Sequence, residues 1–195
     1  MKKIGDYKEI NIYSGQIMSR VMSNANAVGE KKIEYRVIVP KAITADGTIN
    51  ALDLPIEELK CVPDSNRITE LGDIVIKLST PYDSAIVTEE FVGCVVPSFC
   101  AIIRNRSEIE TEYLQAFLSS KLCKEQLRAK VIGTVMTILS VGKIKDIEIP
   151  IPNKEERQEI GQKYITVQKK ITALKQIVEL ESKRNDILFY NMVKR

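Results

Sequence analysis

The chain has 195 residues, of which 44% are apolar and 28% are charged, and its formal net charge is +3. This composition can bury a hydrophobic core and excludes a disordered tail. Histidine is absent from the sequence. Its absence excludes histidine-activated nucleophiles and histidine-liganded metal hydrolysis, although carboxylate or lysine chemistry stays open.

Charge is unevenly distributed along the chain. Residues 153–195 hold ten Lys and Arg against six Asp and Glu, whereas residues 1–152 hold 19 against 20. A near-neutral body is unlike a protein that coats DNA non-specifically, since neutralised phosphates supply most of that affinity. Any nucleic-acid binding by residues 1–152 would therefore need a local basic face and contacts to base edges.

The four cysteines are isolated in the sequence, and no apolar run reaches the length of a membrane span. Without a C-x-x-C pair or a histidine we expect no zinc site, and we predict reduced, partly buried thiols. The first residues also lack the apolar segment of a signal peptide. We therefore expect a cytoplasmic protein.

In chain order, the first notable segment is a polar loop over residues 13–20. Its Ser14, Gln16 and Arg20 side chains are of the kinds that reach phosphates and base edges. The same residue types occur in ordinary surface loops, so the loop alone does not indicate a function.

The centre of the chain is rich in strand patterns. Residues 33–39, 72–78, 85–88, 91–96 and 100–104 each predict a strand, and the later ones are joined by short connections. Together they predict a compact, mostly antiparallel sheet.

After the predicted sheet, the spacing of the apolar residues changes. Residues 111–130 have helical spacing, and Gly133 is a plausible left-handed end to that helix. A mixed polar and apolar loop follows over residues 134–139. Residues 144–149 predict a last strand.

The C-terminal tail carries the strongest pattern. Pro150 and Pro152 keep a helix from extending backwards, and Asn153 with Glu156 predicts a capping box. Apolar residues then recur at alternating steps of four and three, which is the a/d heptad pattern of a coiled coil. The apolar seam is Ile160, Tyr164, Val167, Ile171, Leu174, Val178, Leu188 and Met192, with Glu181 and Asn185 at the two polar positions.

The length of this helix determines the domain organisation. About forty residues make a rod of ~60 Å, whereas a body of about 150 residues has a radius of gyration near ~15 Å. The helix cannot bury its whole seam on such a body. We therefore predict an α+β fold, with a β-rich domain and flanking helices over residues 1–152 and one long coiled-coil helix over residues 153–195. The distal seam is expected to pack against a second copy or another subunit.

The order of several motifs resembles a known family. The motifs are LGDIVI at 71–76, CAIIR at 100–104, YLQAFLSS at 113–120, GTVMTILS at 133–140 and IEIPIP at 147–152, followed by Glu156 and Ile160. This series resembles the DNA-specificity (S) subunits of type I restriction-modification systems. Arg157 departs from the family, which usually has Gln there, and we expect only a local effect.

The resemblance implies a half-length form. A full S subunit holds two target recognition domains and two conserved helices, and this chain has material for one of each. Residues 1–152 would be the target recognition domain, and two copies would pair through the helix to read a split, symmetric site on double-stranded DNA. The helix would also dock methyltransferase (M) subunits and, in a restricting complex, a restriction (R) subunit. The M subunits would hold S-adenosylmethionine and modify a flipped adenine, while this chain would be non-catalytic and would hold no cofactor or metal.

The resemblance also suggests which side chains contact DNA, although each of them can equally be a solvated surface residue. The candidate readers are Ser14, Gln16 and Arg20 in a first loop, Lys77, Ser79, Thr80 and Tyr82 in a second, and Thr134, Met136 and Thr137 in a third. The candidates for phosphate contact are Arg104, Arg128 and Lys130.

Two other function classes stay open. One is a stand-alone dimeric DNA-binding, regulatory or decoy protein of the same fold that recruits no methyltransferase. The other is a nuclease built on carboxylates, for which Glu58-Leu59-Lys60 offers the E-x-K triplet of some metal-dependent nucleases. Such triplets arise by chance in most chains of this charge content.

Overall fold

The structure, a computed structural model, describes residues 1–23, 32–131 and 138–194. Its central element is a four-stranded antiparallel sheet. The strands lie in the order β2 (Ile10–Ser14), β7 (Cys100–Asn105), β5 (Ile74–Lys77) and β6 (Ser84–Ile86). The predicted antiparallel sheet and the α+β class are confirmed.

Both faces of β5 and β7, at the centre of this sheet, are buried. Ala101 and Ile103 of β7 lie in one core, which α1 (Thr111–Ser119) and α2 (Lys121–Val131) complete. Cys100 and Ile102 point the other way, into a second core formed with apolar residues between 38 and 54. Double burial explains why these strands read as continuous apolar runs in the sequence.

Two short strand pairs flank the sheet. β1 (Lys2–Lys3) pairs with β8 (Glu148–Ile149), and β3 (Ile33–Arg36) pairs with β4 (Ile56–Leu59), both antiparallel. The strand predicted over residues 33–39 thus exists but ends early, and Pro40 begins a short 3-10 helix.

The strand predicted over residues 91–96 is wrong. Residues 89–91 form a 3-10 turn, and Val95 makes only isolated bridges to two separate partners, Val37 and Ile68. Its apolar character comes from burial in the core, which a sequence pattern cannot tell from strand pairing.

Two further boundaries differ from the prediction. The helix predicted over residues 111–130 is two helices, because Ser120 is extended and its Oγ accepts a hydrogen bond from the Cys123 N–H at 3.2 Å. Residues 144–149 are not one strand, since α3 (Val141–Lys145) precedes β8. Ser140 caps α3 by accepting from the Lys143 N–H at 3.4 Å.

The C-terminal helix is α4 (Lys154–Val193), 40 residues long. Asn153 is its N-cap, and Asn153 Oδ1 accepts a hydrogen bond from the Glu156 N–H at 2.8 Å. The long helix and its start are therefore confirmed. None of the helices over the described ranges combines the length and apolar character needed to cross a membrane.

All four cysteines are free, and three of them are buried. Burial raises the pKa of the Cys100 and Cys123 thiols to about 12, so both are protonated near neutral pH. Cys61 is exposed. The prediction that the thiols are partly buried is confirmed.

Candidate functional site

One end of the central sheet gathers segments that are far apart in the sequence. Strand register places the end of β2 beside the start of β7, through Ser14 and Ala101, and the end of β5 beside Cys100. The turn between β5 and β6 leaves from the same end. We call this region the loop end. The first and second predicted loops both lie there.

The loop end contains an open groove of about 730 Å³. Its walls come from four segments, at residues 12–14, 64–67, 98 and 138–142, together with Leu78. The Leu139 N–H donates to the Leu78 carbonyl at 2.7 Å, which ties the end of the third predicted loop to the second. The predicted readers Thr134, Met136 and Thr137 themselves lie outside the described residues.

Arg67 fastens the first loop. Its Nη1 donates to the Ser14 carbonyl at 2.5 Å, to the Gly15 carbonyl at 2.7 Å and to Ser14 Oγ at 3.3 Å. Gly15 lies against the chain opposite, because a Cβ at this position would come within 2.0 Å of the Pro97 carbonyl oxygen. The backbone of the first loop is therefore held in place from two sides.

An ion triad holds the base of the second loop. Lys77 Nζ and Lys124 Nζ lie 3.1 Å and 3.0 Å from the two carboxylate oxygens of Asp83, whose side chain is only 5% exposed. The triad joins β5, the turn after it and α2. Lys77, a predicted DNA contact, thus has a structural partner inside the protein.

Three other predicted contacts are buried, so the structure differs from the expectation for them. Tyr82 is 1% exposed and belongs to the core, and Gln16 is 8% exposed with its Nε2 donating to the Ile17 carbonyl. Arg104, at 7% exposed, gives Nε and Nη2 to the Asp73 carboxylate at 3.0 Å and 2.8 Å. Glu70 takes its Nη1 at 2.6 Å. Because these groups are already paired or packed, we withdraw them as direct DNA contacts.

The remaining predicted contacts are more accessible. Ser14, Ser79 and Thr80 are exposed at the loop end. Arg20 is exposed at the last position of a 3-10 turn, Arg128 is exposed on α2 and Lys130 on the same helix is half-buried. The structure does not bring Arg128 or Lys130 into the groove.

Sequence reasoning missed the segment over residues 64–67, which forms one wall of the groove. In the sequence it is a polar turn after Pro63 like many others. Only its contact with Ser14 and Gly15, about fifty positions away, places it in the loop end.

The first half of α4 is fixed to the body through α1. Arg157 Nε donates to Glu110 Oε2 at 2.8 Å, and a Cβ on Gly161 would lie 2.8 Å from the Tyr113 backbone nitrogen. Burial raises the pKa of Glu110, but the Arg157 hydrogen bond, a backbone hydrogen bond and the positive charges of Arg157 and Lys154 together outweigh it and leave that pKa below its ordinary value. Tyr164 Oη lies 2.8 Å from Ser119 Oγ.

Beyond Lys175, which forms an ion pair with Asp46, no ion pair or hydrogen bond joins α4 to the rest of the described chain. The predicted seam is exposed along much of its length, and Val178 and Met192 are 69% and 77% exposed. Tyr164 and Ile171 are half-buried. The other seam residues, all exposed, are Ile160, Val167, Leu174 and Leu188.

The distal part of α4 also carries a second apolar stripe. Ile177, Leu180 and Ile187 are exposed, and together with Ala173 they follow one another at steps of four, three and seven, with Arg184 at the intermediate position of the last step. At 100° per residue this stripe lies on roughly the opposite side of the helix from Val178. This stripe was not predicted from the sequence.

The E-x-K triplet does not form an acidic cluster. Glu58 lies on β4 and forms an ion pair with Lys32 at 2.7 Å. Across the ranges that the structure describes, no group of three or more Cys, Asp or Glu side chains could hold a metal ion.

The chain matches the family model described as the type I restriction modification DNA specificity domain over residues 30–182. Among solved structures it is similar to the HsdS subunit from Thermoanaerobacter tengcongensis, with a TM-score of 0.62 and 18% identity over 95% of this chain and 46% of that chain. It is also similar to the type I restriction-modification system S subunit from M. genitalium, with a TM-score of 0.58 and 14% identity over 93% of this chain and 42% of that one.

A further similar structure bears the description "Structural basis underlying complex assembly and conformational transition of the type I R-M system". Its TM-score is 0.65 at 18% identity, over 95% of this chain and 46% of that chain. The chain therefore spans about half the length of the solved structures that it matches. No curated protein matches the sequence.

Proposed function

Because the chain belongs to the family of type I restriction modification DNA specificity domains, we propose that it is a specificity half-subunit that binds duplex DNA through its loop end. Two copies pair through α4 and read the two halves of a split, symmetric site. The pair then directs methyltransferase subunits, and in a restricting complex a restriction subunit, to that site. S-adenosylmethionine and the chemical step belong to the methyltransferase.

The geometry of the loop end supports the DNA-binding part of this proposal. The polar side chains of Ser14, Asn66 and Ser140 come from distant segments and meet among apolar residues at one groove. Arg67 fixes the backbone of the first loop, and the Asp83 triad holds the base of the second. Base readout depends on hydrogen-bonding groups that are held in a defined position. A near-neutral body with a braced polar end fits contacts to base edges better than binding through phosphates alone.

The observation that carries the pairing proposal is the exposed distal seam. Residues 176–193 extend for ~27 Å with their apolar side chains in solvent. A monomer gains nothing from a heptad pattern there, whereas a second copy would bury it as knobs in holes. Glu181 and Asn185 would then set the register at a cost in stability.

The second apolar stripe is evidence that a second partner helix packs against α4. A helix with two apolar stripes on different sides can contact two helices at once, as in a helical bundle. We assign the predicted seam to the second copy and the stripe of Ala173, Ile177, Leu180 and Ile187 to the methyltransferase.

The pairing is tested by light scattering on the variant Leu174→Asp/Val178→Asp. We expect the wild-type mass to be that of a dimer and the variant mass to be halved. Gln176→Asp is the matched control, because Gln176 is exposed on the same helix outside the seam. A wild-type monomer, or a variant of unchanged mass, contradicts pairing through the seam.

The second stripe is tested separately with Ile177→Asp/Leu180→Asp. This variant should remain a dimer but no longer co-purify with a candidate methyltransferase. Loss of the dimer instead would show that the stripe belongs to the self-association surface.

The function itself is tested by methylome sequencing of cells that carry the chain and a candidate methyltransferase. A gapped, palindromic methylation motif that disappears with the Leu174→Asp/Val178→Asp variant is the expected result. A dimer that binds DNA but supports no methylation with any candidate would favour the stand-alone DNA-binding alternative.

A further inference from the structure

We propose that residues 64–67 form an additional reading element of the loop end, in which Asn66 contacts a base edge and Arg67 is a positioning residue. This inference rests on the proposed function, since it assumes that the groove faces DNA. It adds a specificity-determining residue that lies outside all three loops identified from the sequence.

The position of Asn66 is the first support. Its side chain is exposed and lines the same groove as Ser14 and Ser140. Within the described chain the Asn66 amide makes no hydrogen bond, unlike Gln16, whose amide donates to a neighbouring carbonyl. The Asn66 amide therefore has both its donors and its acceptor available to a ligand.

The rigidity of the segment is the second support. The Arg67 N–H donates to the Asp64 carbonyl at 2.8 Å and the Val96 N–H donates to the Arg67 carbonyl at 3.0 Å. The guanidinium reaches across to the Ser14 and Gly15 carbonyls. The backbone around Asn66 is thus attached to both the protein core and the first loop, so only the side-chain torsions of Asn66 have to be ordered when its amide binds a base edge.

The contacts of the Arg67 guanidinium indicate its role. Its Nη1 hydrogen bonds go to main-chain carbonyls and to Ser14 Oγ, and its Nε lies 3.6 Å from Asp64 Oδ2. A guanidinium occupied in this way acts through Ser14 and Asn66 rather than on phosphate.

The chemistry of the amide indicates the base. The Asn side chain pairs with adenine in the major groove by accepting from the N6 amino group and donating to N7. No other base presents that donor and acceptor pair in the same positions. We therefore assign Asn66 to one adenine of the half-site.

The test uses the full-length chain and a pool of duplexes randomised at every position of the motif that the wild type selects. Asn66→Ala should lose the preference for adenine at one position of each half-site, by on the order of tenfold, and keep the rest of the motif. Asn66→Asp should lose the same preference, because a carboxylate accepts but cannot donate to N7. The salt dependence of binding by Asn66→Ala should not change, since no phosphate contact is removed.

Asn11→Ala is the matched control, since Asn11 is exposed on β2 but does not line the groove. It should select the wild-type motif. Arg67→Met should relax both the adenine position and the positions read by the first loop, and Arg67→Lys should recover part of that selectivity. A structural role alone would lower binding to all sequences equally and would spare the motif.

The outcomes separate the two proposals. A wild type that selects no motif defeats the proposed function, and this inference with it. A wild type that selects a motif while Asn66→Ala selects the identical one overturns only the assignment of Asn66. A uniform loss of affinity with a smaller salt slope would make Asn66 a phosphate contact and would likewise overturn it.

Discussion

The two halves of α4 have different surroundings. Residues 154–175 are joined to the body by the Arg157–Glu110 pair, the close contact of Gly161 with α1, the Tyr164 hydroxyl and the Lys175–Asp46 pair. Residues 176–193 make no such contacts within the described chain, yet they expose nine large apolar side chains. These nine are Ile177, Val178, Leu180, Ile187, Leu188, Phe189, Tyr190, Met192 and Val193.

Only part of this continuous helix is therefore tied to the body. The proximal half is part of the fold, because its polar groups find partners on the body. The distal half has apolar stripes and surface ion pairs that contribute little in a monomer. Substitutions in the proximal half should therefore lower the free energy of unfolding, whereas matched substitutions in the distal half should not. All the unfolding measurements below use the Leu174→Asp/Val178→Asp background, so that pairing between copies does not contribute.

The largest effect is expected for Arg157→Met. The Arg157 and Glu110 side chains are 9% and 17% exposed, and removal of the guanidinium leaves a mostly buried carboxylate without its partner. We expect a loss of about 3 kcal/mol in the free energy of unfolding, measured by urea titration. Arg184→Met is the control, because the Arg184–Glu181 pair is exposed and its loss should cost no more than about 0.5 kcal/mol. Equal losses in the two variants would contradict the distinction between the halves.

The same pair predicts a pH dependence. The pKa of Glu110 is below its ordinary value in the folded protein, so the pair stabilises the fold above the unfolded pKa of Glu and loses that contribution as the pH falls through the folded pKa. The Arg157→Met variant should lack this component when unfolding is followed between neutral and acidic pH. A variant with the wild-type pH profile would show that Glu110 is not coupled to folding.

A smaller effect is expected for Gly161→Ala. A Cβ there would lie 2.8 Å from the Tyr113 nitrogen and 2.9 Å from the Glu112 Cβ, so α4 must move away from α1. The strain of overpacking, about 1–3 kcal/mol, exceeds the gain in helix propensity of about 1 kcal/mol. Thermal unfolding should show a lower melting temperature.

For Gly142→Ala, at another glycine within a helix, we expect no loss of stability. Its Cβ would meet only Ser140 Oγ, at 3.9 Å, so no neighbour has to move. The variant should be as stable as the parent or slightly more stable. A Gly161→Ala variant that gains stability in the same way would contradict the close contact between α1 and α4.

Tyr164→Phe should have a still smaller effect. It removes the hydrogen bond of 2.8 Å between Tyr164 Oη and Ser119 Oγ and leaves the ring in place. We expect a loss of about 1 kcal/mol on urea titration. Tyr190→Phe in the distal half should leave the free energy of unfolding unchanged, and a loss there would show that the distal half contacts the body.

The smallest effect is expected for Lys175→Met. The Lys175 side chain is 63% exposed although its partner Asp46 is 11% exposed, so solvent screens the pair. A loss of about 0.5 kcal/mol is expected, and it should shrink at high salt. Lys169→Met, at an exposed position of the same helix, is the control. A salt-independent loss would indicate a packing role for Lys175 instead.

The division of the chain into a β-rich body and a long terminal helix was predictable, because each signal for it lies within one short segment of the sequence. The cap at Asn153, the prolines before it and the heptad steps all lie within one continuous segment, and each acts on the helix that contains it. Strands β5, β6 and β7 of the central sheet were predicted from their apolar runs, whereas β2, whose buried and exposed positions alternate, was not among the predicted strands. The predictions failed at residues 91–96 and at the start of residues 144–149, where burial without strand pairing gives a similar apolar pattern.

The candidate site was less predictable. Polar residues in a loop look alike in a sequence, whether they face solvent or are paired inside the protein. Gln16, Tyr82 and Arg104 were chosen for their chemical type, yet their partners or packing make them unavailable. Asn66 was overlooked because the segment that contains it joins the loop end through contacts with Ser14 and Gly15.

The sequence by itself determined that this protein has a β-rich body and one long terminal helix with an apolar seam, because periodicity, caps and prolines act over a few neighbouring residues. Only the tertiary structure decided which polar side chains remain free at the loop end, that residues 64–67 belong there, and where α4 leaves the body. Those features depend on contacts between residues far apart in the chain. Such contacts leave no pattern within a short segment of the sequence.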